Sequence, residues 1–136
     1  MNGNFSVVLA DFDNFKSIND QFGHVAGDQV LRRVAAVLAS QLRVYNLAAR
    51  YGGDEFILLL PGSSKEEAIG ISDRIRKEVA KLKAPDCFRQ ITVSLGVASW
   101  RAGETPADLI AHADAALYHA KNTGNNKVEA ASGNIL

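Results

Sequence analysis

Two acidic segments of the chain carry residue types that could bind a metal ion. The first, Asp11-Phe12-Asp13, follows a short apolar run at residues 6–10 and is followed by Lys16. The second, Asp54-Glu55, lies further along the chain. Mg²⁺ is commonly held by one or two carboxylates together with the phosphates of a substrate, so few protein ligands are needed. Together the two segments could hold a metal-bound phosphate.

Residues 47–60 have the pattern of a β-hairpin, because two apolar runs flank the pair Gly52-Gly53. Glycine takes positive φ without steric cost, so the pattern predicts a tight turn at this pair. Asp54 and Glu55 follow the turn at once. A solvated turn often carries one acid, whereas two acids at the mouth of an apolar hairpin indicate a cation site.

The first acidic segment lies where a predicted strand ends and a predicted helix begins. Backbone N–H groups at a helix N-terminus favour anions, so a phosphate could lie there. Asp11 would then hold Mg²⁺ while Lys16 meets a phosphate oxygen. The alternative is that Asp13 and Asn14 simply cap the helix. The second acidic segment makes the metal site the favoured interpretation.

Alternating strand and helix patterns surround these segments. Ser64 heads a capping-box pattern with Glu67, and Thr105-Pro106 supplies an N-cap with proline at the first helical position. The mixture predicts an α/β fold, with a single-layer mixed sheet of about five strands flanked by helices. The predicted helices cover residues 14–21, 25–42, 64–82 (with Pro85 beyond its end) and 105–121, and the predicted strands cover residues 6–10, the two arms of the hairpin, 91–98 and 127–130 as an edge.

The composition bounds the class of protein. The chain has 136 residues, 47% of them hydrophobic and 22% charged, which suits one domain with its own core. The formal net charge of +0 argues against nucleic acid and anionic membrane as partners. Cys87 is the only cysteine, so we expect a bystander without a disulfide or zinc role. Because no apolar run could span a bilayer and no signal peptide opens the chain, we expect a cytoplasmic protein without membrane contact.

A few polar residues are weaker candidates for binding. Asn19 and Asp28 could contact the edge of a purine, since an amide offers a donor and an acceptor and a carboxylate accepts two N–H bonds. Their alternative roles are turn formation and a solvated helix start. His24 is more typical of a helix entry than of a ligand, and His112 and His119 do not have zinc-ligand spacing.

The segment Arg50–Phe56 (Arg-Tyr-Gly-Gly-Asp-Glu-Phe) resembles the signature of GGDEF domains, the diguanylate cyclases. The resemblance extends over about residues 7–128, and we expect this domain to span residues 1–130, with a short tail at residues 131–136. Further motifs in the order and spacing of that family lie at residues 11–16, 18–20, 23–28, 92–96 and 113–121.

The resemblance implies an enzyme that condenses two GTP molecules into cyclic di-GMP and releases pyrophosphate. Each domain would bind one GTP, and two domains would face each other as a homodimer. The resemblance also implies a palm-like, nucleotidyl-cyclase-like fold and Mg²⁺ or Mn²⁺ as cofactor, two per active half-site. Family domains usually begin with an Asp-x-Leu-Thr segment and a helix, whereas this chain opens almost on the first strand, so we expect a domain without that segment.

The resemblance also assigns roles by position. The metal ligands would be the Asp11 and Asp54 side chains and the Phe12 carbonyl. Asp54 and Glu55 would be the catalytic residues that activate the 3′-hydroxyl nucleophile. The substrate would be bound by the two phosphate-contacting lysines, by the residues that contact guanine and by their neighbours, namely Lys16, Lys121, Asn19, Asp28, His24 and Phe15.

Two stretches depart from the family pattern. In place of the inhibitory Arg-x-x-Asp site stands the sequence from Arg43 to Asn46, with Arg74 at the position of a secondary inhibitory arginine. Asn46 lacks the charge that would accept two guanine N–H groups, so we expect weakened inhibition by cyclic di-GMP. Asn125 stands where the family has an arginine near the phosphates, so turnover is expected to be reduced.

Two other functions stay open from the sequence. The first is a catalytically weak or inactive GGDEF module that binds GTP and regulates a neighbouring domain, which Asn125 favours and the acids at positions 11, 54 and 55 oppose. The second is a phosphoacceptor signalling domain with aspartates at a strand end. The Gly-Gly-Asp-Glu hairpin has no role in that second interpretation.

Overall fold

A computed structural model of the protein describes residues 4–82 and 90–131. The predicted elements are all present in these residues, with ends shifted by a residue or two. The predictions about Pro85, Cys87 and the end of the tail, residues 132–136, fall outside the described residues. The strands are β1 (Phe5–Phe12), β2 (Leu47–Arg50), β3 (Glu55–Pro61), β4 (Val93–Ser99) and β5 (Val128–Ala130), and the helices are α1 (Phe15–Phe22), α2 (His24–Gln41), α3 (Lys65–Ala80) and α4 (Pro106–Asn122).

The strands form one mixed sheet in the order β2-β3-β1-β4-β5. Strand β1 is antiparallel to both of its neighbours, β2 and β3 form the predicted antiparallel hairpin, and β5 pairs in parallel with β4 at the edge. The predicted mixed α/β sheet is therefore confirmed.

Strand β1 is the centre of the protein because it is apolar on both faces. Val8 and Ala10 pack into the larger core, which α1, α2 and α3 cover. Val7 and Leu9 point to the other face, where α4 lies. Side chains alternate across a strand, so one continuous apolar run can supply both cores.

Helix α3 begins at the predicted capping box. Ser64 Oγ accepts a hydrogen bond from Glu67 N at 3.1 Å, and Glu67 Oε1 accepts one from Ser64 N at 3.0 Å. The two bonds satisfy backbone donors that the first helical turn leaves without partners. The predicted apolar stripe faces the core, with Ala68, Ile71, Ile75 and Val79 buried and Leu82 partly buried against them.

Helix α4 lies unusually close to β4 because of Gly96. A Cβ atom added at Gly96 would lie 2.3 Å from the Ala113 carbonyl oxygen and 2.4 Å from the Leu117 nitrogen. Only glycine permits this approach of two backbones. The close packing fixes the last turns of α4 beside the end of β1. In the described part of the chain, no helix combines the length and apolar character needed to cross a membrane.

Candidate active site

The two acidic segments meet where β1 ends and β3 begins. The antiparallel register pairs Asp11 with Glu55. Next to this pair, Phe12 N donates a hydrogen bond to the Asp54 carbonyl oxygen at 3.2 Å. The fold thus brings the Asp11 carboxylate to the consecutive acids Asp54 and Glu55, which lie far from it in the sequence.

The Asp11 carboxyl group is partly buried beside two other acids. Burial, the largest cause, raises its pKa to about 7. The Lys121 ammonium lowers the pKa, while the charges of Asp54 and Glu55 and a hydrogen bond with Asp54 raise it further. Asp11 Oδ1 is buried and has no hydrogen-bond donor among the described residues. A buried oxygen without a donor, in a group of repelling acids, fits a divalent cation.

The loop between β2 and β3 is wider than the sequence predicts. It spans residues 51–54, and neither Gly52 nor Gly53 has positive φ, so the predicted tight turn is wrong. The Arg50 guanidinium holds the wider loop by donating to the Gly52 carbonyl at 3.2 Å and to the Gly53 carbonyl at 3.1 Å. A Cβ atom added at Gly53 would meet nothing within 4 Å apart from its chain neighbours, so the loop is open at this glycine.

The predicted substrate-binding residues of α1 and α2 surround one cavity beside this loop. The cavity has a volume of about 410 Å³. Arg50, Leu31 and Gly53 also line it, and the sequence interpretation did not include them. The predicted site residues that line the cavity are Phe15, Lys16, Asn19, His24, Asp28 and Asp54.

Gly27 lets α1 and α2 approach closely enough to bring Asn19 near Asp28. A Cβ atom added at Gly27 would lie 1.8 Å from Asn19 Oδ1. The two helices are joined at Gly23, whose φ of 89° favours glycine. The sequence signal for this arrangement was the glycine directly before Asp28.

Lys121 is not among the residues that line this cavity. Its Nζ atom donates to the Phe12 carbonyl oxygen at 2.7 Å and to Asp13 Oδ1 at 2.8 Å. It also lies 3.6 Å from Asp11 Oδ2. The ammonium therefore contacts the carbonyl that the sequence interpretation assigns to a metal ion.

Asp13 is a further residue near the site to which sequence reasoning gave no role beyond helix capping. Its side chain is 1% exposed. The carboxylate accepts hydrogen bonds from Thr92 Oγ1 and Ser94 Oγ at 2.7 Å each, from Lys121 at 2.8 Å and from Asn126 N at 2.9 Å. Burial alone would raise its pKa, but these four donors together lower it below its ordinary value. Asp13 is thus held as a carboxylate.

The structure does not support the alternative that Asp13 and Asn14 only cap α1. Asn14 is the N-cap residue, with φ of 62°, but its side chain makes no capping hydrogen bond. Asp13 is directed to β4 instead. The polar residues Thr92, just before β4, and Ser94, within it, alternate with apolar residues, and this was the available sequence signal.

The segment predicted to be a degenerate inhibitory site is folded on itself. Asn46 is buried, and its Oδ1 accepts a hydrogen bond from Arg43 N at 2.9 Å. Its Nδ2 atom has no partner among the described residues. Arg43 Nη1 donates to the Tyr45 hydroxyl at 2.9 Å, and Arg74 Nε donates to Gln41 Oε1 at 3.4 Å.

The turn after α4 has two asparagines in the left-handed region, Asn125 with φ of 61° and Asn126 with φ of 50°. Asparagine tolerates this region better than most side chains. Asn125 N bonds the Ala120 carbonyl at 3.1 Å, which closes the helix, and Asn126 reaches Asp13. Asn125 therefore forms part of the turn that ends α4.

The histidines of α4 pair with glutamates. His112 Nδ1 lies 2.9 Å from Glu104 Oε1, and His119 Nδ1 lies 3.0 Å from Glu129 Oε2. Within residues 4–82 and 90–131, no group of three or more histidine, cysteine or acidic side chains could hold a metal ion. A metal ion at Asp11 and Asp54 would therefore need a backbone carbonyl or a substrate as a further ligand.

The chain is similar to known proteins over nearly its whole length. A family model described as "Diguanylate cyclase, GGDEF domain" matches residues 1–127. The chain is similar to Diguanylate cyclase A of Treponema denticola, at 40% identity over 133 residues, which are 96% of this chain and 36% of the relative. It is also similar to Diguanylate cyclase DgcM of Escherichia coli, at 44% identity over 127 residues, 93% of this chain and 31% of the relative. The chain spans about a third of the length of these curated relatives.

Solved structures show the same fold. The active GGEEF domain of a diguanylate cyclase from Vibrio cholerae matches with a TM-score of 0.92 and 34% identity, covering 97% of this chain and 85% of that chain. The GGDEF domain of DgcB from Caulobacter crescentus, solved in complex with c-di-GMP, matches with a TM-score of 0.88 and 38% identity, covering 94% and 78%.

Proposed function

The chain belongs to the diguanylate cyclase GGDEF domain family, and we propose that it condenses two GTP molecules into cyclic di-GMP. The observation that carries the proposal is the meeting of Asp11, Asp54 and Glu55 beside the cavity of about 410 Å³ between α1, α2 and the hairpin loop. In each of two steps, the 3′-oxygen of one GTP forms a bond to the α-phosphorus of the other. The bond between the α- and β-phosphates breaks, pyrophosphate leaves, and the hydroxyl proton passes to a base.

The residues around the cavity support binding of GTP. Asp28 can accept from the N1–H and the exocyclic amine of guanine, and Asn19 beside it offers a donor and an acceptor. Adenine lacks that pair of donors, so ATP would leave the carboxylate without partners, which is unfavourable. Lys16, at the same cavity, can bind a phosphate oxygen. Phe15 and His24 complete this part of the proposed site.

Asp11 and Asp54, with the Phe12 carbonyl, would hold Mg²⁺ or Mn²⁺, two per active half-site. The fit rests on the buried Asp11 Oδ1 atom without a donor and on the repulsion between the neighbouring acids. When bound, divalent ions neutralise the leaving pyrophosphate and lower the pKa of the attacking hydroxyl. In this proposal, Asp54 or Glu55 would accept the proton of that hydroxyl.

The remaining contribution of the protein is positioning. Each domain would bind one GTP, and two domains would face each other as a homodimer, so that each 3′-hydroxyl lies in line with the partner nucleotide. Holding two reactants in line removes an entropic barrier that a collision in solution must overcome. The shape of the hairpin loop, which Arg50 holds through the Gly52 and Gly53 carbonyls, supports a fixed position for Asp54.

We also propose that inhibition by cyclic di-GMP is weakened. Arg43 can still make a bidentate contact to a guanine edge. Asn46 is neutral, and its Oδ1 atom already accepts a hydrogen bond from Arg43 N. Arg74, the proposed secondary arginine, is hydrogen-bonded to Gln41.

A second candidate function is a GTP-binding module that does not turn over and regulates a neighbouring domain. Asn125 favours it, because a positive charge near the phosphates is missing at this position. The three carboxylates and the cavity fit both candidates.

The deciding experiment is GTP turnover with Mg²⁺ at high protein concentration, with products separated by chromatography. Asp54→Ala is the test variant, and Glu78→Gln in α3, where the side chain is 45% exposed and pairs with Lys81, is the control. Cyclic di-GMP from the unaltered chain and the control, but not from Asp54→Ala, supports the cyclase. Mg²⁺-dependent GTP binding without product supports the module or a cyclase whose two copies do not meet. Fusing a dimeric coiled coil to the chain separates these two, since only a cyclase gains turnover.

A further inference from the structure

The Lys121 ammonium and the proposed metal ion would use the same carbonyl oxygen. Lys121 Nζ lies 2.7 Å from the Phe12 carbonyl oxygen and 3.5 Å from the Asp11 carbonyl oxygen. The Asp11 carboxylate is 3.6 Å from the same nitrogen. A positive charge from the protein itself therefore lies against the acidic site.

This ammonium is held in place from several directions. Asp13, whose side chain is 1% exposed, accepts from it at 2.8 Å and is itself fixed by the hydroxyl groups of Thr92 and Ser94. The helix that carries Lys121 is pressed against β4 at Gly96. The Lys121 side chain is 24% exposed, so most of its length is covered. The fold therefore fixes the position of this charge, unlike that of a mobile surface side chain.

A charge so placed has two opposite electrostatic effects. It stabilises the charged form of Asp11, which the charges of Asp54 and Glu55 destabilise. It also repels a divalent cation that approaches Asp11 and Asp54, and it engages a lone pair of the Phe12 carbonyl. In a partly buried site such effects are stronger than in water and are less screened by salt.

We propose that Lys121 is a tethered counter-ion of the acidic site, which weakens the binding of a divalent cation until a nucleotide supplies phosphate oxygens to the lysine. The inference rests on the proposed function, because it takes Asp11 and Asp54 to be metal ligands. A metal ion and a nucleotide would then bind cooperatively. By linkage, each would raise the affinity of the site for the other by the same factor.

The test is Mn²⁺ binding to the nucleotide-free protein, measured by the electron paramagnetic resonance signal of free Mn²⁺. The proteins are the unaltered chain, Lys121→Met, and Lys81→Met as a control that removes a charge from the end of α3, where the side chain is 71% exposed. Lys121→Met is expected to bind Mn²⁺ about fivefold or more tightly, the lower end of typical couplings between two sites. The control is expected to match the unaltered chain. Equal or weaker binding by Lys121→Met, or no Mn²⁺ binding by either protein, overturns the proposal.

A second arm uses a GTP analogue with a methylene group between the α- and β-phosphorus atoms. With the analogue bound, the ammonium of the unaltered chain has phosphate oxygens as partners. The tighter Mn²⁺ binding of Lys121→Met is then expected to vanish or reverse. If Lys121→Met still binds Mn²⁺ more tightly by the same factor when the analogue is bound, the lysine does not exchange its contacts with the acidic site for contacts with the nucleotide.

Loss of Lys121 removes one donor from the buried Asp13, so the fold of the variant must be checked by circular dichroism and thermal unfolding. Lys121→Gln, which removes the charge but keeps an N–H donor, is the second variant and is expected to tighten Mn²⁺ binding in the same direction. The unaltered chain provides a test without substitution, through acetylation of its lysines followed by mass spectrometry. Mn²⁺ is expected to speed the acetylation of Lys121 relative to Lys81, and an unchanged ratio overturns the proposal.

The two proposals fail in different ways. If Lys121→Met binds Mn²⁺ more tightly but no dimeric form of the unaltered chain makes cyclic di-GMP, the counter-ion proposal is supported and the cyclase proposal is wrong. Cyclic di-GMP formation with equal Mn²⁺ affinities in the two proteins supports the cyclase and removes the counter-ion.

Discussion

Asp13 Oδ1 lies 2.8 Å from the Nζ atom of Lys121, and this ion pair ties the end of β1 to the last turn of α4. The pair is at the inner edge of the site, with Asp13 almost completely buried. Such a carboxylate is tolerated because four donors surround it. Asp13 therefore has a structural role at the site, and we propose no contact between Asp13 and the substrate.

The first prediction concerns the stability contributed by Asp13. Asp13→Ala leaves a partly buried ammonium, two hydroxyl groups and one backbone N–H without their acceptor, so we expect the free energy of unfolding to fall by about 3 kcal/mol. Urea unfolding followed by circular dichroism measures this. Asp20→Ala, at an exposed position of α1, is the matched control and is expected to change stability by less than about 0.5 kcal/mol. A loss no larger than that of the control would show that the network contributes little.

The second prediction concerns the pH dependence of stability without metal or nucleotide. The pKa of Asp11 is about 7 in the folded protein and 3.8 for the ordinary group, so the folded state binds the proton more tightly between these values. The stabilisation is therefore fully present below about pH 4 and is lost as pH rises toward 7. Asp11→Asn, which stays neutral, is expected to gain stability relative to the unaltered chain as pH rises through this window.

Thermal unfolding in the presence of a chelator, at intervals from pH 4 to pH 8, measures this difference. Glu78→Gln, which neutralises a surface acid of α3, is the control and is expected to show no such trend. A constant difference in melting temperature between Asp11→Asn and the unaltered chain would contradict the raised pKa. Asp13 has the opposite sign, because its lowered pKa gives stability that is lost only as pH falls below its ordinary range.

The third prediction concerns Gly27. In Gly27→Ala the new Cβ atom would meet Asn19 Oδ1, which is the end of a side chain and can move away. We therefore expect about tenfold weaker GTP binding, the loss of roughly one good hydrogen bond, with little loss of stability. Calorimetric titration with the non-hydrolysable GTP analogue and thermal unfolding measure the two quantities.

Gly70→Ala is the matched control for this change, since a Cβ atom added there in α3 meets nothing within 4 Å. It is expected to stabilise the helix by about 0.5–1 kcal/mol and to leave GTP binding unchanged. Asn19→Ala is expected to weaken GTP binding as much as Gly27→Ala does. If Gly27→Ala binds GTP with the affinity of the unaltered chain, Asn19 does not contact guanine as proposed.

The fourth prediction concerns the proposed inhibitory site. Asn46→Asp can keep the hydrogen bond from Arg43 N, and the atom it replaces, Nδ2, has no partner among the described residues. The restored carboxylate could accept two guanine N–H groups, so we expect cyclic di-GMP to bind about tenfold more tightly. Calorimetric titration with cyclic di-GMP measures the affinity. Binding that Asn46→Asp fails to improve would show that the charge at this position is not what limits the site.

The elements of the fold could be predicted from the sequence because their signals are local. The capping box of Ser64 and Glu67, the proline after Thr105 and the alternation along β4 each involve residues within a few positions of one another. The hairpin turn was the exception. Its wider shape depends on the Arg50 side chain, which reaches the loop carbonyls and competes with the intrinsic preference of Gly52 and Gly53 for a tight turn.

The sequence by itself determined the mixed α/β fold, the family and the acidic residues that a cation site requires, since motif order and periodicity are properties of the linear chain. The tertiary structure alone decided the roles of Asp13 and Lys121. The partners of Asp13, which include Lys121, lie 79 to 113 residues further along the chain. They become its neighbours only through the sheet order and the close approach at Gly96. Burial and charge neutralisation, which decide whether an aspartate binds a cation or holds a lysine, exist only once those strands and helices have packed.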